Sequence, residues 1–303
     1  MPADDHARAL LDPAVLARLG ALPLAARRAM QGSVSGRHAS PHRGASVEFA
    51  EYRKYVPGDD LRRLDWRAYG RTDRHYVKEY EADTNLRCLV VLDASGSMGF
   101  GSGPLTKFAY AQRLAAAAAC LAIRQGDAAG ATCVADGLEA TVPPRRNPAH
   151  LTAIANLLAG VRPRGAGRLV PALHELAETT PQRALFVVVS DFFVDPRELR
   201  GCFEHFRFRR HDLAAFHLLD PLELTFPLHR PVRFLDMEGG PALLADPAEI
   251  ADRYLASLQR YLESVRQAAL ETEIDYQRVS LATDYEQTLQ RFLLGRVRSG
   301  GVR

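Results

Sequence analysis

Cysteine is scarce and scattered in this chain. Only Cys88, Cys120, Cys133 and Cys202 occur among 303 residues, and no two of them form a CxxC pair. That spacing suggests neither a zinc knuckle nor a redox dithiol. Cys88 and Cys120 lie in strongly apolar stretches and read as small core residues. The pattern fits a reducing cytosol. Long apolar runs are also lacking. The longest, LAAAAACLAI at 114–123, is bracketed by Arg113 and Arg124. It falls far short of the roughly 20 residues of a membrane span. The start, MPADDHARALLDPAV, has no cationic-then-apolar leader pattern. A cytoplasmic protein without a direct membrane span is therefore expected. Charge of one sign is missing too: the formal net charge is +3. No nucleic acid is expected as partner, since such binders concentrate a basic face. The scattered histidines show no ligand spacing, and none is assigned a role.

What is present is an ordinary globular composition, 47% hydrophobic and 25% charged. A chain of this length buries roughly three quarters of its unfolded surface and needs no staples. Residues 11–31 carry leucines at helical spacing, interrupted by Pro23, and 32–47 read as a basic Gly/Ser/His loop. Residues 48–83 are polar and rich in aromatics, with the only tryptophan, Trp66, and a turn at Val56-Pro57-Gly58-Asp59. From 85 to 220 strands and helices alternate. Apolar strands are expected at 87–92, 128–135, 138–142, 184–190 and 213–219, and helices at 107–124, 149–161, 169–178 and 196–207. Continuous apolar strands are buried on both faces, which implies a mostly parallel sheet between helices. Beyond 220 come short extended pieces with prolines at 222–244, a long helix at 248–270, a last strand at 273–281 and a last helix at 285–294. The expected fold class is α/β, a three-layer doubly wound sheet with extensions at both ends. The divisions expected are 1–84, an amino-terminal extension packing on the core, 85–220, the core, and 221–303, a carboxy-terminal extension.

The stretch LVVLDASGSMGFGSGPLTKFAY, 89–110, runs from strand to helix and sets Asp93, Ser95 and Ser97 two residues apart at the join. In extended backbone such positions point the same way. In open α/β sheets, ligands bind beyond the carboxyl ends of the strands. One carboxylate and two hydroxyls make a hard oxygen cluster suited to Mg²⁺. A second carboxylate comes from FVVVSD, 186–191, which repeats the pattern of apolar strand then acid. Asp195, just before Pro196, is the better helix cap, which leaves Asp191 for the cation. The predicted metal set is Asp93, Ser95, Ser97 and Asp191. The alternative from the residues alone is a turn and helix cap, since Ser, Asp and Gly dominate turns. A phosphate-binding loop is excluded because Thr106, not Gly, precedes Lys107. A GxGxxG motif fails on glycine spacing. A nucleophile elbow fails because Ser95 stands where Gly is needed.

Asp93-Ala-Ser95-Gly-Ser97-Met98 resembles the metal-ion-dependent adhesion site of von Willebrand factor A domains. Tyr55-Val-Pro-Gly-Asp-Asp-Leu-Arg-Arg-Leu-Asp-Trp66 resembles the signature preceding such a domain in the bacterial family called domain of unknown function 58. Val189-Ser-Asp-Phe192, His217-Leu-Leu-Asp-Pro221 and Phe234-Leu-Asp-Met-Glu238 are similar as well. The resemblance implies a von Willebrand A-like core, a Mg²⁺-dependent protein-interaction module without enzymatic activity, and a MoxR-type AAA+ ATPase, or a client of it, as partner. One departure stands out. The family's second metal loop reads Gly-Gly-Thr-x-Leu, whereas this chain has Gly165-Ala-Gly167-Arg168-Leu169, with Gly167 where the threonine ligand is expected. Arg168 is a candidate to supply positive charge in place of the cation. Two rival functions share the cluster: a metal-dependent phosphoester hydrolase, and a scaffold whose metal site is vestigial. In 48–83, Tyr55, Trp66 and the charges around them read either as a partner surface or, preferably, as an internal polar network.

Overall fold

The structure, a computed structural model, describes residue 7 and residues 9–20, 22–24, 47–54, 69, 76–82 and 86–300. The chain divides into two compact units, one of residues 1–28 with 86–303 and one of residues 29–85. In the smaller unit, β1 (Val47–Lys54) pairs antiparallel with β2 (Tyr76–Ala82), with a bulge between Phe49 and Glu51. The turn at 56–59 and the Tyr55 and Trp66 anchors lie outside the described residues.

The larger unit is built on a six-stranded sheet. Its strands are β3 (Arg87–Asp93), β4 (Ala128–Val134), β5 (Leu138–Arg145), β6 (Leu185–Ser190), β7 (Asp212–Leu219) and β10 (Asp275–Ser280), in spatial order β10-β7-β6-β3-β4-β5. Every neighbouring pair is parallel except β4–β5, the hairpin signalled by Asp136-Gly137. Chain order reverses beside β3, which pairs with both β4 and β6. The expected doubly wound sheet is therefore present. β5 runs further than expected, through Pro143 and Pro144. Proline is tolerated there because β5 is an edge strand.

Two helix layers cover the sheet. On one face lies α2 (Lys107–Arg124), against β3 and β4, with α3 (His150–Gly160) and α8 (Tyr285–Gly300) packed on it. On the other lie α4 (Leu169–Thr179), α5 (Pro196–Phe208) and α7 (Pro247–Glu271). Leu89 and Val91 join this second layer in one cluster with Phe186, Phe203, Phe206 and Val265. α2 can approach closely because its contact face is alanine: Ala115, Ala116, Ala118 and Ala119 are fully buried. All four cysteines are free and buried, Cys88 and Cys120 in keeping with their reading as core residues. Among the described residues no helix is long and apolar enough to cross a membrane.

The extensions are not simple appendages. β10 is a strand of the main sheet, beside β7. The amino-terminal helix α1 (Pro13–Leu19) packs on α2 and α8. Arg18 pairs with Glu286 at 2.5 Å. Gln125 accepts from the Leu24 amide and donates to the Leu22 carbonyl, both at 2.8 Å. Residues 221–245 hold a short helix, α6 (Pro221–Thr225), and a small antiparallel pair, β8 (Val232–Phe234) with β9 (Leu243–Ala245).

The close helix–sheet approach makes the alanine face intolerant of volume. Ala118→Leu is expected to cost about 1–3 kcal/mol through overpacking. Urea unfolding would show it as a lower midpoint at unchanged slope.

Candidate functional site

The register of the central strands decides where the site lies. Leu92 of β3 is opposite Val189 of β6. Asp93 and Ser190 therefore end neighbouring strands side by side, and Asp191 follows one residue on. The two tips are tied directly: the Ser190 hydroxyl donates to Asp93 Oδ2 at 2.5 Å. Asp93 Oδ1 accepts from the Ser95 amide at 2.9 Å. Ser95 and Ser97 place their hydroxyls 3.1 Å apart, in and just before a 3₁₀ turn at Gly96–Gly99. Three of the four predicted residues thus form one hydrogen-bonded chain. Ser190, part of the FVVVSD pattern but not of the predicted metal set, joins that chain to the strand carrying Asp191.

Asp191 has a different partner. Its Oδ2 accepts from Lys107 Nζ at 2.7 Å, and the same ammonium reaches Glu223 Oε1 at 2.9 Å. Lys107 opens α2 and is only 2% exposed. Burial works against its charge, but Asp191 and Glu223 more than offset that and raise its pKa. Glu223 is held in turn: it is the third residue of α6, and its Oε2 accepts from the Asp220 amide at 2.8 Å in a capping box. Asp220 also receives the amide and the hydroxyl of Ser102. The loop between the 3₁₀ turn and α2 is thereby fastened to the end of β7. The positive charge at the site is Lys107; Arg168, the candidate from sequence, is exposed. Asp195 caps α5 through the Arg197 amide at 2.8 Å, as expected.

The backbone behind Asp191 is strained. Phe192 has φ +47, a region that bulky side chains avoid. Its ring is fully buried, 5.6 Å from the His217 ring, and its carbonyl accepts from the Tyr261 hydroxyl. His217 shares a 2.7 Å hydrogen bond with Tyr276, and burial lowers its pKa to about 4, so it is neutral at physiological pH. Strain of this kind persists where the surroundings over-determine it, and it gathers at functional sites.

The second loop explains the missing threonine. Residues 164–168 are laced to the first loop: the Arg164 amide donates to Ala94 O at 2.8 Å, and the Gly96 amide to Gly165 O at 3.0 Å. Gly167 sits at φ +64, and a Cβ there would lie 2.8 Å from Ser95 Cβ. A side chain at 167 has neither the backbone conformation nor the space. The loop delivers no hydroxyl; it braces Ser95 instead.

A further carboxylate, which the sequence showed only as the end of the Phe234-Leu-Asp-Met-Glu238 match and not as a site residue, lies next to this cluster. Glu238, between β8 and β9, lies beside Ser97, whose polar groups favour its charged form. Its carboxyl is pushed up by burial, and the charge on Asp191 adds to that. Asp93 is raised to about 6, first by burial and then by the Asp191 charge, against the hydrogen bonds from Ser190 and Ser95. Two carboxylates, Asp191 and Glu223, thus pair with the one ammonium, while Asp93 is held by neutral donors and Glu238 lies beside Ser97. Among the described residues no group of three or more His, Cys, Asp or Glu is placed to hold a metal ion. The Asp93 cluster is instead two strand-end carboxylates with hydroxyls, a hard donor set carrying excess negative charge. That chemistry fits Mg²⁺, which takes few protein oxygens and keeps its waters.

The family model described as "Protein of unknown function DUF58" matches residues 51–260. "Uncharacterized protein Rv1480" of Mycobacterium tuberculosis (strain ATCC 25618 / H37Rv) is 33% identical over 269 residues, covering 82% of this chain and 81% of the relative. "Uncharacterized protein Mb1516" of Mycobacterium bovis matches to the same extent. This chain belongs to the DUF58 family, whose function is not established. Among solved structures it is similar to the conserved hypothetical protein BatB from Bacteroides thetaiotaomicron. That likeness has a TM-score of 0.47 at 13% identity, over 71% of this chain and 100% of that one. The SpRpn10 VWA domain gives a TM-score of 0.42 at 11% identity, over 69% and 95%.

Two outcomes test the electrostatics. Lys107→Met leaves two carboxylates without their cation and is expected to destabilise by about 3–5 kcal/mol at neutral pH, read by denaturant unfolding. The pH dependence follows from Asp93. Its pKa of about 6 in the fold lies above the roughly 3.9 of an unperturbed aspartate. The fold therefore binds this proton more tightly than the unfolded chain does. The stabilisation is full below about pH 4 and is lost as pH rises through about 6. In EDTA, the melting temperature of Asp93→Asn relative to wild type is expected to rise between pH 4 and 7; a flat difference would refute the assignment.

Proposed function

We propose that this protein is a non-enzymatic interaction module that docks a partner through the strand-end cluster. The observation that supports it most is the pairing of β3 with β6. Asp93, Ser95 and Ser97 stand at one strand tip, Ser190 and Asp191 at the next, joined by the Ser190–Asp93 hydrogen bond. Asp93, Ser95, Ser97 and Asp191 would hold Mg²⁺, and the cation would supply a Lewis-acidic point that accepts a carboxylate from the partner. The chain's own residues do the rest. Ser190 and the Ser95 amide orient Asp93, Lys107 steadies Asp191 and Glu223, and the 164–168 loop braces Ser95. None of these groups offers an activated nucleophile, and the buried neutral His217 is engaged with Tyr276. On this reading the partner is a MoxR-type AAA+ ATPase or its client, met in the cytoplasm.

A second reading draws on one specific observation. The Lys107 ammonium already satisfies Asp191 Oδ2. A scaffold in which lysine has taken over the cation's work would need no metal. Titration calorimetry separates the two. Mg²⁺ added to wild type should release or absorb heat that Asp93→Ala abolishes, and EDTA should lower partner capture from the native host. Equal heats in both proteins, or none in either, would leave the scaffold.

A further inference from the structure

The hairpin β8–β9 carries its polar and apolar residues the wrong way round for a surface turn. Leu235 and Met237 are 67% and 46% exposed, as are Leu243 and Leu244 beyond them at 61% and 74%. Glu238, between these apolar flanks, is the half-buried one. Its carboxyl lies beside the strand-end cluster, with Ser97 and Asp191 as its neighbours there, because the preceding residue, Met237, packs on the Gly96–Gly99 turn. The placement is built, not incidental. The Asp236 side chain accepts from the Glu238 amide at 2.8 Å and so shapes the turn. Gly96 has no room for a side chain because the Met237 carbonyl oxygen would lie 2.2 Å from its Cβ. The Met237 methyl reaches to 3.0 Å from the corresponding position at Gly99. The base of the hairpin is anchored by Phe234, stacked on Phe226 at 6.0 Å, and Phe226 in turn packs on Tyr254 at 4.6 Å.

We propose that residues 235–239 are the chain's own occupant of the site: Glu238 takes the place at Ser97 that the carboxylate of a partner's acidic turn takes on docking. The proposal builds on the interaction reading above and adds two things to it. It names the ligand class, a Glu or Asp on a turn flanked by apolar side chains, as in Leu235-Asp-Met-Glu238. It also states how access is controlled. A tethered ligand acts at an effective concentration in the millimolar range, so it competes with any weak external carboxylate. A partner must lift the hairpin, and the exposed Leu235, Met237, Leu243 and Leu244 offer the surface by which it is lifted.

The test uses the full chain and a labelled peptide of its residues 232–242, VRFLDMEGGPA, with Mg²⁺ present and binding read by fluorescence anisotropy. Glu238→Gln frees the site and is expected to bind the peptide at least about tenfold more tightly than wild type. Adding Ser97→Ala to that variant should abolish the gain, as should Gln in place of Glu in the peptide. Equal binding to wild type and Glu238→Gln, or no binding to either, overturns the proposal. So does a gain that survives Ser97→Ala. Mg²⁺ heats measured on the same proteins separate this from the docking reading. Heat that depends on Asp93 without a tenfold difference sinks the self-ligand alone. A tenfold difference without heat sinks the cation alone.

Discussion

The arrangement at the carboxyl ends of the strands depends on one buried ion pair. Lys107 stands at the first turn of a largely apolar helix and neutralises Asp191 on the next strand tip but one from β4. Buried charges are costly unless paired and hydrogen-bonded, and this one has two carboxylate partners. Its consequences spread outward. Glu223 can serve both the ammonium and the α6 capping box because the two demands fall on different oxygens. Asp220, released from pairing with a cation, is free to gather Ser102 and so to seat the loop leading back to Lys107. Loop, helix start and two strand ends form a closed circuit. Loosening any member exposes a charge that the others cannot satisfy.

Around that circuit the molecule holds more negative charge than it neutralises. Asp93 relies on neutral donors, and Glu238 leans on a serine. The surplus gives the site its chemistry: hard oxygens, little positive charge, and a hydroxyl line that a cation or a carboxylate can enter. The proposed divalent cation would relieve this imbalance. A further carboxylate adds to it, so Glu238 is held there by the packing of its hairpin on Gly96 and not by charge.

The sheet was legible in the sequence because parallel strands buried on both faces leave unbroken apolar runs. 184–190 and 213–219 could be placed almost to the residue. Asp93 and Ser95 were legible for a related reason, period-two spacing at the end of such a run; Ser97 meets Ser95 through the 3₁₀ turn at Gly96–Gly99, which that spacing does not describe. Lys107 was not found, though a signal existed. It stands at the head of the stripe Lys107, Ala111, Leu114, Ala118, where a charge is out of place unless something answers it. Glu223 was hidden by distance, since nothing local says that a residue 116 positions away completes an ion pair; Glu238 was visible only as part of a family motif, with nothing to say where it lies. Gly167 was correctly seen as a missing hydroxyl. The reason, a left-handed backbone pressed on Ser95, is visible only in three dimensions.

The left-handed Phe192 has a consequence for how the site meets a ligand. Its ring is locked among His217, Tyr261 and the core, so the peptide that carries Asp191 cannot swivel without unpacking the sheet's interior. The carboxylate is held in position before anything arrives. The ordering cost that a flexible loop meets at each encounter has already been met here during folding. Under the docking proposal, the half of the site on β6 is the rigid one, and the hairpin that carries Glu238 is the part that gives way.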